Sequence, residues 1–211
     1  MLSKKYKENN SNYDPQPDRG LLEVIKLAPK GAVLDLGAGE GRNSIFLAKK
    51  GFKVEAIDRA REELAKCKEY AKQYKLPIKT GVVDIRKFNF LKNRYALILG
   101  ITTLDFLKLS ETKQIVSRIK DSLKKDGIFY LAVFSTRDPS FKISKKAGFK
   151  IIEKNTFYFP RIKSARHYFQ KKELFSILKD FEIIKFEEIY KKYIPKTAHF
   201  HNYFRIIAKR K

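Results

Sequence analysis

Short apolar runs alternate with amphipathic segments along most of this chain. Residues 33–36 and 95–100 have the length of strands, and the second run is apolar throughout, as in a parallel strand covered on both faces. Residues 60–74 place Leu64 and Cys67 on one apolar stripe between charged positions, which predicts an amphipathic helix. The other predicted strands are 53–57, 78–83, 128–134, 181–189 and 203–208, and the other predicted helices are 42–50 and 111–123. This alternation predicts an α/β fold with a doubly wound sheet.

The first predicted strand runs directly into a glycine-rich turn. Residues 35–41 read DLGAGEG, so three glycines stand at alternate positions behind an acid. Glycine tolerates positive φ and lets a ligand approach the backbone without meeting a Cβ atom, and the helix that follows offers its N-terminal amides. The spacing differs from the G-x-G-x-x-G of dinucleotide-binding proteins. An ordinary strand-to-helix turn is the alternative, and it accounts for one or two of the glycines.

The turn resembles motif I of the class I S-adenosylmethionine-dependent methyltransferases. Two acids follow at strand ends in the order that this family uses. The resemblance implies that Asp58 binds the ribose hydroxyls and that Asp84, with the backbone at Ile85, binds the adenine. A helix cap for Asp58, a turn role for Asp84 and a solvated position for Arg19 are the alternatives. The residues expected to bind S-adenosyl-L-methionine are Arg19, Asp35, Gly37, Gly39, Gly41, Asn43, Asp58, Arg59, Asp84, Ile85, Gly100 and Ile101.

The same resemblance implies a Rossmann-like fold with a mostly parallel seven-stranded sheet and an antiparallel C-terminal hairpin at its edge. Residues 41–44 read GRNS, a continuation of motif I that is typical of the small methyltransferases of the tellurite-resistance type. The likeness to this group extends over residues 17–211. Its members methylate varied small acceptors, so the family label does not identify the acceptor.

Two segments depart from the family pattern. Residues 123–127 read LKKDG where the family commonly has LKPGG, a change that affects a turn and not a ligand. Residues 100–103 read GITT where many amino-methyltransferases of adenine and cytosine carry [DN]-P-P-[YF]. The second departure argues against methylation of nucleic-acid bases.

Length and cysteine content suit one domain in a reducing compartment. The 211 residues are 43% hydrophobic, enough for one good core. We expect a single methyltransferase domain over residues 1–211, with a flexible basic tail at 1–12 and an acceptor-side insertion at 136–170.

No apolar run reaches about 18 residues, so we expect neither a membrane span nor a membrane partner. One cysteine excludes an internal disulfide and fits the cytoplasm; the place of Cys67 on an apolar stripe favours a buried structural thiol, and no Cys/His cluster indicates a metal site.

The net charge of +24, from 47 Lys and Arg against 23 Asp and Glu, has two explanations. Such a field attracts nucleic acid or another polyanion, but the dispersed lysines equally fit a composition bias toward AT-rich codons. The densest basic segment, residues 142–166, interleaves cations with aromatic residues. Rings among cations can stack bases or close over a small molecule. We expect any nucleic-acid binding through this surface to be weak and independent of sequence.

These observations predict methyl transfer from S-adenosylmethionine to a small-molecule acceptor by in-line displacement. Positioning of donor and acceptor in a closed site can supply most of the catalysis when the acceptor is already a good nucleophile. His199 and His201 stand just before the last predicted strand, so each is a candidate base or acceptor ligand, with a structural or surface position as the alternative. An RNA methyltransferase and a non-catalytic cofactor-binding nucleic-acid module are the alternative functions.

Overall fold

The computed structural model describes residues 16–193 and 199–211, with the backbone alone for 191–193 and 199. Its helices are α1 (Leu21–Leu27), α2 (Arg42–Lys49), α3 (Arg61–Gln73), α4 (Leu109–Ser122), α5 (Pro139–Lys146) and α6 (Lys171–Ile177). Its strands are β1 (Ala32–Leu36), β2 (Lys53–Asp58), β3 (Ile78–Val82), β4 (Tyr95–Ile101), β5 (Leu123–Phe134), β6 (Ile151–Glu153), β7 (Thr156–Phe159), β8 (Ser164–His167), β9 (Phe181–Tyr193) and β10 (His199–Arg210). Turns of 3-10 helix lie at Ile85–Lys87, Leu104–Phe106 and Pro160–Ile162.

In the described part of the chain, seven strands form the main sheet in the order β3-β2-β1-β4-β5-β10-β9. Strands β1 to β5 are parallel, and β10 runs antiparallel to both β5 and β9. The predicted doubly wound sheet with an antiparallel C-terminal hairpin is therefore confirmed. The strand order reverses between β1 and β4, and open α/β sheets bind ligands in the crevice outside the carboxyl ends of the strands at such a point.

Apolar side chains cover both faces of the main sheet, because successive side chains of a strand point in opposite directions. On one face, Leu34 of β1 joins a cluster with Ile115 of α4. On the other face, Val33 joins a cluster with Leu47 of α2. Every residue of β4 is buried, as its uninterrupted apolar run predicts.

Three strands of the main sheet extend further than the hydrophobic pattern predicts. β5 begins early because Leu123 pairs with Tyr95 of β4. β9 and β10 pair with each other as far as Tyr193 and His199. Pairing between two backbones needs no apolar side chain, so these extensions leave no hydrophobic signal. The prediction that His199 and His201 precede the last strand is therefore wrong, since both lie within β10.

Residues 139–167 form α5 and a second sheet, which the hydrophobic pattern did not indicate. This small sheet has the order β6-β7-β8, and its strands are too short to show a clear alternation. Glu153 attaches it to the start of α4 by accepting hydrogen bonds from the Leu109 amide (2.8 Å) and Ser110 Oγ (2.9 Å). Just after the small sheet, the Phe169 amide donates to the Phe134 carbonyl at 2.8 Å. These contacts hold the segment beside the carboxyl ends of β4 and β5.

Gly41 lets α3 pack against the glycine turn. It ends the turn at φ +84°, a left-handed conformation that costs a residue with a Cβ atom about 1–2 kcal/mol. A Cβ atom at this position would lie 2.2 Å from Cys67 Sγ. Cys67 is fully buried on α3, and burial raises the pKa of its thiol to about 12. The thiol is thus a packing group, as the apolar stripe predicted.

We expect Gly41→Ala to lower the free energy of unfolding by about 2–4 kcal/mol, because it adds both a strained φ and an overlap with Cys67. Urea unfolding of the wild type, Gly41→Ala, Cys67→Ala and the double variant measures the coupling between the two sites. Gly41→Ala should cost less when Cys67 is Ala, because the nearest overlapping atom is gone. Equal costs in the two backgrounds would contradict this packing explanation.

Candidate functional site

Within the glycine turn, Gly39 faces open space. Gly37 and Gly39 have φ values of +69° and +55°, and the Gly37 amide donates to the Ile57 carbonyl at 2.8 Å, which ties the turn to β2. A Cβ atom on Gly37 would lie 2.4 Å from Thr103 Oγ1, whereas one on Gly39 would meet nothing within 4 Å. Packing therefore requires glycine at position 37, and the bare backbone at position 39 is open to a ligand.

Asp58, at the end of β2, is hydrogen-bonded to the glycine turn. Its Oδ2 accepts a hydrogen bond from the Gly39 amide and its Oδ1 accepts one from the Ala60 amide, both at 2.8 Å. The bond to Ala60 leads the chain into α3, which is the capping role considered from the sequence. A carboxylate has about four lone-pair sites, so acceptor capacity is left for hydroxyl groups. Ribose binding by Asp58 stays a prediction.

Asp35 and Asn43 have internal contacts in the structure. Asp35 is 2% exposed and accepts a hydrogen bond from Ser44 Oγ at 2.7 Å. Burial raises the pKa of Asp35 to about 6. Asn43 is buried and accepts a hydrogen bond from the Asp18 amide at 3.0 Å, which joins the segment before α1 to α2. Asp35 and Asn43, which were predicted as ligands, thus make hydrogen bonds within the protein that support the glycine turn.

Asp84 lies beside Asp58 at the carboxyl edge, because the Val83 amide donates to the Asp58 carbonyl at 2.9 Å. The Asp84 carboxylate accepts hydrogen bonds from the backbone amide (2.9 Å), Nε (2.9 Å) and Nη2 (2.5 Å) of Arg86. The Arg86 side chain is the main reason that the pKa of Asp84 is lowered to about 2. This is the turn role considered from the sequence, with Ile85 beginning the 3-10 turn. Adenine binding by these two residues stays a prediction.

The segment that enters the crevice after β4 begins at Thr102. The predicted ligands Gly100 and Ile101 are buried inside β4, where they pair with β5. Thr102 is exposed and has a φ of +49°, which is unusual for a β-branched residue. Thr103 Oγ1 donates to the Leu36 carbonyl at 2.6 Å. The position of residues 100–103 directly after a buried strand predicted that they enter the crevice, but the predicted ligands ended at Ile101 and left out both threonines.

The two arginines predicted to bind the cofactor are both exposed. Arg19 is exposed in the turn before α1, and Arg59 is exposed directly after Asp58. The structure thus brings the glycine turn, both strand-end acids and Thr103 together at one edge.

Phe134, at the end of β5, is the centre of a second group of side chains. The ring of His201 lies 5.0 Å from the ring of Phe134, centroid to centroid. The Arg166 guanidinium carbon lies 5.5 Å from the Phe134 centroid, 5.2 Å from that of Phe106 and 5.1 Å from that of Phe159. Such distances give favourable cation–π contacts. Of the two predicted histidines, the side chain of His199 lies outside the described residues.

Asp138 orients His201. It is fully buried, and its Oδ2 lies 3.0 Å from His201 Nδ1 and 2.8 Å from the Asn202 amide. Its Oδ1 accepts hydrogen bonds from the Ser140 amide at 2.9 Å and from Ser140 Oγ. Burial opposes ionisation, but the hydrogen bonds from His201 and Ser140 hold the pKa of Asp138 below its usual value. An ionised carboxylate only accepts, so Nδ1 of His201 carries the hydrogen.

Asp105 is a further buried acid next to this group, and it was not predicted. Its Oδ1 accepts a hydrogen bond from the Phe134 amide at 2.6 Å. Its Oδ2 and Arg166 Nε are buried without a hydrogen-bond partner among the described residues. Burial raises the pKa of Asp105 to about 7, although the hydrogen bond from the Phe134 amide and the charge of Arg166 partly offset that rise. Nothing in the local sequence around Asp105 indicates burial, because its partners are distant along the chain.

Comparison with known proteins assigns the chain to a family. The family described as tellurite resistance protein TehB matches residues 2–205. The chain belongs to the TehB family. The resemblance predicted from motif I and its GRNS continuation is thereby confirmed.

A curated relative is the probable S-adenosyl-L-methionine-dependent methyltransferase TehB of Haemophilus influenzae. It is 29% identical over 138 residues, which are 65% of this chain and 46% of the relative. The chain thus spans just under half the length of that TehB protein.

Solved structures share the fold of this TehB family member. A SAM-dependent methyltransferase from Methanosarcina mazei superposes with a TM-score of 0.75 at 22% identity, covering 92% of this chain and 98% of the other. The 1,6-didemethyltoxoflavin-N1-methyltransferase of Burkholderia thailandensis, solved with 1,6-didemethyltoxoflavin and S-adenosylhomocysteine, superposes with a TM-score of 0.67 at 18% identity. That match covers 90% of this chain and 76% of the other. At these identities the likeness shows the fold.

The buried carboxyl of Asp105 should make stability fall as pH rises. Its folded pKa of about 7 lies above the ordinary 3.8, so between these values the folded state holds a proton that the unfolded state has lost. The loss is on the order of 4 kcal/mol and is complete above about pH 7; Asp35 adds a loss of the same sign up to about pH 6. Asp105→Asn should therefore stabilise the protein at about pH 8 and have little effect at about pH 4.

Urea unfolding at the two pH values measures this difference. The matched control is Asp126→Asn, because Asp126 carries a largely exposed carboxyl. A loss of stability in Asp105→Asn that is equal at both pH values would contradict the assignment of a raised pKa.

Proposed function

We propose that this chain transfers a methyl group from S-adenosylmethionine to a small-molecule acceptor. The observation that carries the proposal is the crevice at the switch point, where the open backbone of Gly39 is hydrogen-bonded to Asp58 in a member of the TehB family. The acceptor is proposed to bind beyond β4, near Phe134, whose ring is contacted by His201 and Arg166. The methyltransferase domain is proposed to act in the cytoplasm.

The donor side fits the groups that S-adenosylmethionine presents. Space at Gly39 admits the ligand against bare backbone, and Asp58 has acceptor capacity for ribose hydroxyls. Asp84 is proposed to receive the adenine amine, although Arg86 already occupies part of its carboxylate. Asp35 and Asn43 support the turn from behind. In this scheme Gly37 serves to bring the turn close to Thr103.

When bound, S-adenosylmethionine would supply a methyl group on a positively charged sulfur; the acceptor lone pair would attack the methyl carbon in line, and the sulfur would leave as a neutral thioether with the electrons of the broken C–S bond. The chain contributes chiefly by alignment, which can supply about 7–11 kcal/mol when both partners are held in a closed site. Thr102 and Thr103 are proposed to lie between the donor and the acceptor, because they connect the end of β4 to the 3-10 turn that contains Asp105. The small sheet, attached through Glu153, restricts the acceptor side.

His201 is proposed to take a proton from acceptors that lose one on methylation. Because Asp138 engages Nδ1, the basic nitrogen of the neutral ring is Nε2. Asp138 acts as a positioning residue, since it fixes the tautomer and the ring orientation and stabilises the imidazolium. His199 stays the second predicted histidine, on the same strand. The contact of the His201 ring with Phe134 holds the imidazole at the acceptor side.

A small acceptor is favoured over RNA for two reasons. The segment after β4 lacks the tetrapeptide of base amino-methyltransferases, and the Burkholderia neighbour was solved with a small heterocycle. Weak, sequence-independent nucleic-acid binding through the exposed cations is compatible with this function. A transfer assay with labelled S-adenosylmethionine against small thiols, chalcogen oxyanions and total RNA tests it. Label on RNA alone would support the RNA methyltransferase, and no transfer to any class would support a non-catalytic module.

Asp58→Ala should weaken binding of S-adenosylhomocysteine by about 1.5–3 kcal/mol, because a charged hydrogen-bond acceptor for the ribose is lost. Isothermal titration calorimetry measures the affinity. The control is Glu62→Ala, which removes an exposed acid from the first turn of α3. Unchanged affinity in Asp58→Ala would reject the assignment of Asp58, and the absence of binding by the wild type would reject the cofactor.

His201→Gln should lower kcat by about 10² to 10⁴-fold, while the affinity for S-adenosylhomocysteine stays unchanged. Asp138→Asn should lower kcat less, because the amide oxygen still accepts from Nδ1 but no longer stabilises the imidazolium with a charge. Steady-state rates across pH, with calorimetry alongside, separate these effects. Full turnover in the double variant His199→Ala, His201→Ala would leave positioning as the whole mechanism.

A further inference from the structure

The cations of residues 139–163 are distributed differently from those of the rest of the chain. This segment contains seven Lys and Arg and one acid, whereas the remaining residues contain 40 Lys and Arg and 22 acids. All seven cations are exposed, and none forms an ion pair with a described residue. They are Lys142, Lys145, Lys146, Lys150, Lys154, Arg161 and Lys163. The one acid, Glu153, is engaged by Leu109 and Ser110.

Three large aliphatic side chains are exposed among these cations. Ile143 is 61% exposed, Ile151 is 60% exposed and Ile162 is 42% exposed. Each stands next to a cation in the sequence, and Ile162 lies between two of them at the end of a 3-10 turn. We call this set, the three isoleucines with the seven cations, the basic apolar face.

Contacts within the segment join the parts of this face. The Phe149 amide donates to the Ser144 carbonyl at 3.2 Å, so the chain after α5 folds back on the helix. The ring of Phe149 lies 4.8 Å from the ring of Phe159, just before the turn that carries Ile162. The Tyr158 amide donates to the Lys150 carbonyl at 2.8 Å. The end of α5, β6 and the tip between β7 and β8 are therefore neighbours.

We propose that the basic apolar face docks the protein on the surface of an anionic lipid bilayer. Unpaired lysines are attracted to acidic headgroups, and each contributes to binding close to the membrane surface. Exposed aliphatic side chains insert at the boundary between headgroups and acyl chains, and the two signals together give stable peripheral binding. We expected no membrane partner because the chain has no long apolar run, but docking on a membrane surface needs no span. In the described residues no helix is long and apolar enough to cross a membrane.

The side chains favour a lipid surface over nucleic acid. Single-stranded nucleic acid binds to basic grooves by stacking its bases on aromatic rings. In this segment Phe149 and Phe159 pack on each other, Arg166 also covers Phe159, and Phe157 is buried against Phe141. The side chains that remain most exposed are aliphatic, and they suit a bilayer better than a base. The cytoplasmic leaflet is the anionic surface that a cytoplasmic protein meets.

Co-sedimentation of the full chain with vesicles tests this proposal. Vesicles of phosphatidylcholine with phosphatidylserine should bind the wild type at least about tenfold more tightly than vesicles of phosphatidylcholine alone. The charge variant Lys145→Gln, Lys146→Gln, Lys150→Gln should lose that preference. The matched control replaces three exposed lysines elsewhere, Lys68→Gln, Lys72→Gln and Lys113→Gln.

The apolar contribution is tested with Ile143→Ser, Ile151→Ser, Ile162→Ser. This variant should weaken binding to the anionic vesicles by about tenfold or more, because three exposed aliphatic groups no longer insert. The control is Leu27→Ser, Leu91→Ser, which removes exposed leucines outside the face. Circular dichroism and calorimetry with S-adenosylhomocysteine confirm that each variant is folded, since these residues are exposed and lie outside the proposed cofactor site.

Equal binding of the wild type and both face variants would overturn the proposal, as would an equal loss in either control. Gel-shift titration with total RNA at physiological salt tests the alternative that this face binds nucleic acid. RNA binding that depends on this face, without binding to anionic vesicles, would assign the face to nucleic acid instead. These outcomes do not depend on methyl transfer, so the proposal fails or holds independently of the enzymatic function.

Discussion

The close approach of the glycine turn to its neighbours determines where a ligand can enter this protein. At Gly37 the backbone is pressed against Thr103, and at Gly41 it is pressed against Cys67. These contacts bring the ends of β1 and β4 together and seat α3 beside the turn. Gly39 alone of these three has open space beside it, and its amide is held by Asp58. The same packing that closes the core thus leaves one stretch of backbone available to a ligand.

The proposed acceptor side depends on contacts between residues that are distant in the sequence. Asp138 joins the start of α5 to β10 by bonds to Ser140, His201 and Asn202. Its burial makes these bonds strong, because no water competes for the carboxylate. Asp105 makes the corresponding link to the end of β5, and its raised pKa shows how much burial opposes its charge. Burial of Asp105 therefore costs stability at pH values where its carboxyl is ionised.

The sequence predicted the parts of this molecule whose signal is local. The strand, glycine turn and helix at residues 33–50 lie within one short segment, and their pattern identified both the fold and the family. The alternation of apolar and polar positions did not predict the small sheet, because its strands are too short to show it. It also did not predict the ends of β9 and β10, which pair without burying apolar residues.

Side-chain pairs were harder to predict than elements. The hydrogen bond between Asp138 and His201 joins residues 63 positions apart, and the bond between Asp105 and Phe134 joins residues 29 positions apart. The spacing of residues within a short segment therefore cannot predict either pair. His201 was selected from its place near the last strand, but the acid that orients it was not. Gly100 and Asn43 were predicted as ligands from their positions along the chain, but the packing places Gly100 in a strand pair with β5 and Asn43 in a hydrogen bond with the Asp18 amide.

The central claim is that the crevice beside Gly39 holds S-adenosylmethionine with its reactive end toward Phe134. A crystal structure of the protein with S-adenosylhomocysteine tests this most directly. We expect the ligand to lie against Gly39, with its ribose hydroxyls on the Asp58 carboxylate and its sulfur on the side of Thr102 that faces Phe134. A ligand bound elsewhere on the protein, or no ligand at saturating concentration, would contradict the claim.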